Sequence, residues 1–211
     1  MKIQFIRQFE VYLKGKIHQL KINKHDFSII SNNCWGTFIY KKYGLPYQSP
    51  FVNLFIFADD YLKLLENFSP ELINKLRFIQ RSDSKYQKEL SEDPNLTDNY
   101  PIGLLGEDIE LHFLHYKSEQ DALEKWTKRA KKINYDRLIF KFSDGDNCTY
   151  RHIKRFDKLP FENKVCFTSK EYPDIKSVVY IDKFKDQDRV RDEWKSFHKH
   201  YNIVKTINRL A

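Results

Sequence analysis

The chain has 211 residues, 41% of them hydrophobic and 16% aromatic, with only six Gly and seven Pro. This excludes a linker, a collagen-like repeat and a disordered tail, and it suffices for one packed domain without staples. The formal net charge of +8 is uneven: residues 1–116 carry 14 basic and 14 acidic side chains, residues 117–211 carry 23 and 15. A basic half is either a solvated face or a patch for anionic partners.

Residues 1–24 place Ile3, Ile6, Val11, Leu13, Ile17 and Leu20 at helical spacing among basic residues. The pattern predicts an amphipathic N-terminal helix that docks on the domain, or alternatively makes peripheral membrane contact. No apolar run reaches the ~20 residues of a transmembrane segment, and no signal-peptide core is present, so a cytoplasmic location is expected. Phe27–Ser31 reads as a buried strand, followed by a helix over Trp35–Lys42 that stops at Gly44. Phe51–Phe57 reads as a strand, and Asp59 or Asp60 caps a helix through Phe68. Ser69-Pro70 opens a further helix over Glu71–Gln80, and residues 81–100 form a polar loop.

Ile102–Leu105 and Ile109–Tyr116 read as a strand pair across Gly106-Glu107-Asp108. Ser118 with Asp121 begins a helix to Lys132. Arg137–Phe142 is a strand, Asn147 caps a helix to Leu159, and Lys164–Thr168 and Ser177–Ile181 are strands. Arg189–Leu210 reads as a closing amphipathic helix. Alternating strands and helices predict a single α/β domain over 1–211: a mixed, mostly parallel sheet sandwiched by helices in three layers.

Three cysteines (Cys34, Cys148 and Cys166) without paired spacing argue against a disulfide framework or a structural zinc site. Cys34 falls at the start of the first helix, where exposed amides favour a thiolate or bind a phosphate; Asn32, Asn33 and Gly36 are the candidate phosphate-binding residues. The stretch from Cys34 to Phe38 with Leu45-Pro46 resembles the cysteine-bearing helix of papain-like cell-wall amidases. A thiol nucleophile needs a base. On a strand over 109–116, His112 shares a face with Glu110, which could orient it, while His115 lies on the other face. The alternative reading of Cys34 and His112 is structural packing. Asp144-Gly145-Asp146 after a strand is a candidate site for Mg²⁺ or Mn²⁺ on a nucleotide-sugar diphosphate; the alternative is an Asp-rich turn. There is no phosphate-binding glycine motif, nucleophile elbow or zinc-protease helix, and no recognised nucleic-acid module, so nucleic acid is an unlikely partner.

Four segments together carry a resemblance: Phe27 to Gly36, Ser49-Pro50 with the run to Phe57, Pro101 to Tyr116, and Phe167 to Lys170. They resemble a bacterial family of unknown molecular function often labelled exopolysaccharide biosynthesis protein. The resemblance implies a pathway, surface-polysaccharide assembly, and no particular reaction. It makes the leading expectation a transferase using a nucleotide-activated sugar or another anionic small molecule. In that expectation Asp144 and Asp146 hold a metal, Asn33 and Cys34 amides take a phosphate, and His112 or Glu110 serves as base. The alternatives are a Cys34/His112 hydrolase or acyl transferase, and a non-catalytic assembly partner.

Overall fold

The computed structural model describes residues 15–93, 96 and 99–211. Most of the expected N-terminal helix lies outside these residues; 15–19 are helical, and Gly15 packs against Gly44, which takes φ +60° to end the next helix.

A parallel sheet forms the centre. β1 (Ser28–Ser31) pairs with Leu138–Ser143, which pairs with Lys164–Thr168, which pairs with Val178–Tyr180. A separate antiparallel sheet is built from β2 (Leu76–Ile79), β3 (Ile102–Leu105) and β4 (Ile109–His112). The central strands are therefore β5 (Leu138–Ser143), β6 (Lys164–Thr168) and β7 (Val178–Tyr180). The fold is α/β with a mostly parallel sheet, as expected, but its antiparallel strands stand apart from the parallel ones.

Side-chain alternation divides the core. Ile29, Ile139, Val165 and Phe167 face helix α1 (Trp35–Lys42), through Trp35, Ile39 and Tyr40, and the closing helix (Ile203–Arg209). Ile30, Phe140, Phe142 and Cys166 face α2 (Ala58–Glu66), the antiparallel sheet, and two further helices, Glu119–Ala130 and Tyr150–Lys158. A third cluster of Phe55, Phe57, Leu90, Tyr100 and Ile102 seats the 81–92 segment.

Several elements differ from the sequence expectation. The run 51–57 is buried, yet its only ladder contact among the described residues is the bridge from Phe55 to His112. Phe51, Leu54 and Ile56 enter one cluster, Val52 a second, and Phe55 and Phe57 the third. A segment wedged among three cores is apolar on every side, so its composition mimics a strand. Asn53 at φ 60°, its amide bound to Thr37 Oγ1, breaks the extension. Next, α2 starts at Ala58 with Asp59 and Asp60 in its first turn instead of at its cap. Ser69 does cap α3 (Pro70–Ile73), but that helix makes one turn and Leu76–Ile79 leaves it to pair with β3.

Segment 81–92 is not wholly irregular: it holds α4 (Gln87–Glu92). Ser118 Oγ accepts the Asp121 amide and opens α5 (Glu119–Ala130) as expected. Thr149, not Asn147, caps α6 (Tyr150–Lys158), in a capping box with His152. Only Ile203–Arg209 of the expected closing helix is α-helical, and it is α7; residues 189–199 form a strap of short turns. No helix among the described residues is long and apolar enough to cross a membrane.

Candidate functional site

The carboxyl ends of β1 and β5 lie side by side, and polar residues follow both strands: Asn32-Asn33 after Ser31, and Asp144-Gly145-Asp146 after Ser143. Lys141, within β5, is fully buried between Phe140 and Phe142. A buried ammonium needs partners, because desolvation of a lone charge costs far more than any hydrogen bond returns. Lys141 Nζ meets the Glu193 carboxylate and donates to Asn33 Oδ1 at 2.9 Å and Asn32 Oδ1 at 3.4 Å. Asn33 Nδ2 donates back to Glu193 Oε1 at 2.9 Å. Asn32 Nδ2 lies 3.4 Å from Ser143 Oγ and 3.3 Å from Asp146 Oδ2.

These contacts draw the strap over the strand ends. It carries Arg189, Arg191 and Trp194 to the rim of an open cleft of about 420 Å³, lined also by Asn33, Phe55, Ser143, Asp146 and Glu193. Three cleft or near-cleft residues hold left-handed backbones: Asp146 (φ 56°), Asn147 (φ 62°) and Asp192 (φ 47°). Asn and Asp tolerate that region best, and such outliers gather where a fold must aim a group. Burial, partly offset by Arg189 and Lys141, raises the Asp146 carboxyl to about 6.

The expected residues divide. Asn32, Asn33, Cys34, Asp144 and Asp146 do converge at these strand ends. Gly36 does not reach the cleft: its Cα faces β1, and a Cβ there would stand 3.0 Å from Ile29 Cγ2. Cys34 donates its S–H to the Leu54 carbonyl at 3.8 Å. Burial and the nearby Glu193 carboxylate push its thiol up to about 11, the direction opposite to nucleophile activation. His112 is fully enclosed. Its ring stacks on Phe55 at 4.6 Å, its Nδ1 lies 3.4 Å from the Tyr100 hydroxyl, and its Nε2 has no hydrogen-bond partner among the described residues. Burial lowers it to about 3. Phe55 lines the cleft, so His112 sits behind it, and no hydrogen bond joins it to Cys34. Glu110 stands 3.7 Å from His112, on the same face as expected, but its carboxylate accepts from Ser84 Oγ at 2.6 Å and the Lys85 amide at 2.8 Å. It anchors the 81–92 segment. His115 is exposed.

The Asp144/Asp146 pair does not fit a shared divalent ion. Asp144 Oδ2 accepts from the Ser169 amide (2.6 Å) and hydroxyl (2.9 Å), and Oδ1 from the Val190 amide (2.7 Å). Those three donors take most of the carboxylate's roughly four acceptor sites and turn it toward Ser169 and Val190 instead of toward Asp146. Among the described residues no group of three or more His, Cys, Asp or Glu is arranged to hold a metal.

Lys141, Glu193, Arg189, Arg191 and Trp194 escape the sequence reading. Lys141 left one signal, a lone cation within the strand run Leu-Ile-Phe-Lys-Phe. The strap residues left none, since their role depends on β5, about 50 positions earlier in the chain.

The fold and the cleft define an α/β protein with a ligand-sized polar site at the carboxyl ends of a parallel sheet, where open α/β sheets bind ligands. The chain belongs to the family described as Domain of unknown function (DUF1919), whose model matches residues 5–211. It is also 38% identical over 197 residues to an uncharacterized protein of Haemophilus influenzae, covering 90% of this chain and 88% of that one.

Proposed function

We propose that the protein is a cytoplasmic transferase of surface-polysaccharide biosynthesis that binds a nucleotide-activated sugar in the strand-end cleft. One observation carries the reading: the strap sets Arg189 and Arg191 at the same cleft as the aromatic faces of Trp194 and Phe55 and the polar groups of Asn33, Ser143, Asp146 and Glu193. Guanidinium forks suit a diphosphate. Amide, hydroxyl and carboxylate groups suit sugar hydroxyls, and an aromatic face suits a base or the apolar side of a sugar ring. With Asp144 engaged by amides, the diphosphate charge falls to the arginines. The pathway rests on the family resemblance of the four segments described above.

The test is a thermal-shift and calorimetric screen with UDP, GDP and their common sugar conjugates. At about 100 times Kd a ligand stabilises by about 2.7 kcal/mol, which moves Tm by roughly 5–10 °C for a chain of this size. At least one nucleoside diphosphate should do so, with and without EDTA. Arg189→Ala and Arg191→Ala should each weaken it about 10- to 100-fold, the worth of one charge-assisted hydrogen bond. A flat response across the panel would refute the reading.

A further inference from the structure

A second cavity, of about 380 Å³, adjoins the first. The two share Asp93, Leu96, Asp146, Arg189 and Arg191, and on its far side the second is lined by Phe57, Glu89, Glu92 and Asn147. Asp146 therefore stands where the cavities meet. Its position is held from several directions: its carbonyl accepts the first amide of α2, from Ala58, at 2.8 Å, its Oδ2 faces Asn32 Nδ2, and its left-handed backbone continues into Asn147. Away from the shared residues the second offers the Glu89 and Glu92 carboxylates beside Phe57, with Asn147 Nδ2 donating to Glu89 Oε1 at 2.7 Å, as the first offers Asp192 and Glu193 beside Trp194. Carboxylates accept from hydroxyl and ammonium groups.

We infer that Asp146 is the general base of the transfer, and that the second cavity takes the acceptor, an uncharged or amino-bearing polyhydroxyl compound such as a glycan end. This rests on the donor site proposed above. The acceptor hydroxyl gives its proton to the Asp146 carboxylate, and its oxygen forms the new bond to the anomeric carbon. The bond from that carbon to the diphosphate breaks, and the leaving diphosphate keeps the electron pair, facing Arg189 and Arg191. No oxidant, reductant or further reactant is required. The carboxyl, raised to about 6, is ionised at neutral pH yet more basic than a surface aspartate, as a general base should be.

The experiment measures release of nucleoside diphosphate from whichever nucleotide sugars the full-length protein binds, with methyl glycosides and glucosamine as acceptors, from pH 5 to 8. Asp146→Asn keeps the backbone conformation and the shape of the group. It should bind UDP or GDP within threefold of the parent while release falls by 10²- to 10⁴-fold, the usual worth of a general base. The parent's rate should fall below about pH 6 with unit slope, a readout that needs no variant. The double change Glu89→Gln with Glu92→Gln should raise the acceptor KM and leave donor affinity unchanged. Release by Asp146→Asn within threefold of the parent, a rate indifferent to pH near 6, or donor binding with no release from the parent protein would overturn the inference and leave the donor site standing. Failure of every nucleotide to bind would instead remove the donor site itself.

Discussion

At Asp146 burial works against the charged form, so the carboxylate is held at a cost. Its folded pKa, about 6, lies above the usual 3.8. The folded protein therefore binds more protons than the unfolded chain between these values, and this group's contribution to stability falls as pH rises from about 4 to 6. Asp146→Asn should accordingly be more stable than the parent at pH 7, by up to about 2–3 kcal/mol, while losing turnover. Chemical denaturation at pH 7 measures it; a less stable variant would refute this account of the site. His112 carries the opposite sign. Burial holds it neutral down to about 3, so below pH 6.5 the unfolded chain takes up a proton that the folded one does not, and stability drops as pH falls. His112→Phe should flatten that acid limb, read as Tm against pH from 4 to 7. Cys34, pushed up to about 11, should react with iodoacetamide at pH 8 more slowly than free cysteine, followed by mass spectrometry.

The strap is the element on which the cleft depends, and Lys141, Glu193, Asn33 and Asp144 hold it. Glu193→Gln leaves the Lys141 ammonium with neutral amide oxygens and no counter-charge. It should cost about 3–5 kcal/mol, and it should speed proteolysis near residues 186–192. Lys141→Met with Glu193→Gln should cost less than either change alone, because no buried charge is then left unpaired; thermal melts of the three variants decide it. This element also marks where sequence reading stops. From Arg189 on, apolar residues recur at helical spacing, yet Val190 donates to Asp144, Asp192 turns left-handed, and Trp194 stacks on Phe38 at 4.3 Å. Tertiary contacts override a weak local helical preference. The Leu76–Ile79 strand diverges for a similar reason: partners in β3 were available to it, and hydrogen bonding to them outweighed continuation of a one-turn helix.

Across the whole molecule, the chain leaves the parallel sheet after β1, builds the antiparallel sheet, and returns to lay β5 beside β1. The segment 51–57 contributes to all three hydrophobic clusters, and Tyr61 Oη donates to the Ile30 carbonyl at 2.7 Å across the layers. Neither sheet keeps a complete core without the other. Unfolding in urea should be a single transition, with far-ultraviolet circular dichroism and tryptophan fluorescence coincident; two separated transitions would show that the layers fold independently.

Local chemistry alone determined the α/β alternation, the position of the four strands that pair in parallel, the Ser118 cap, and the placing of Asn32, Asn33, Asp144 and Asp146 at strand ends. Apolar periodicity, capping and the carboxyl ends of strands are properties of adjacent residues, so they are written in short windows. The tertiary structure decided the rest. It engaged Asp144 and Glu110 with amides, buried His112 behind Phe55, brought Glu193 to Lys141, and set two arginines at the cleft. Those outcomes follow from pairing energies between residues 25 to 57 positions apart. A buried charge takes whichever partner the fold delivers, and no local pattern records which partner that is.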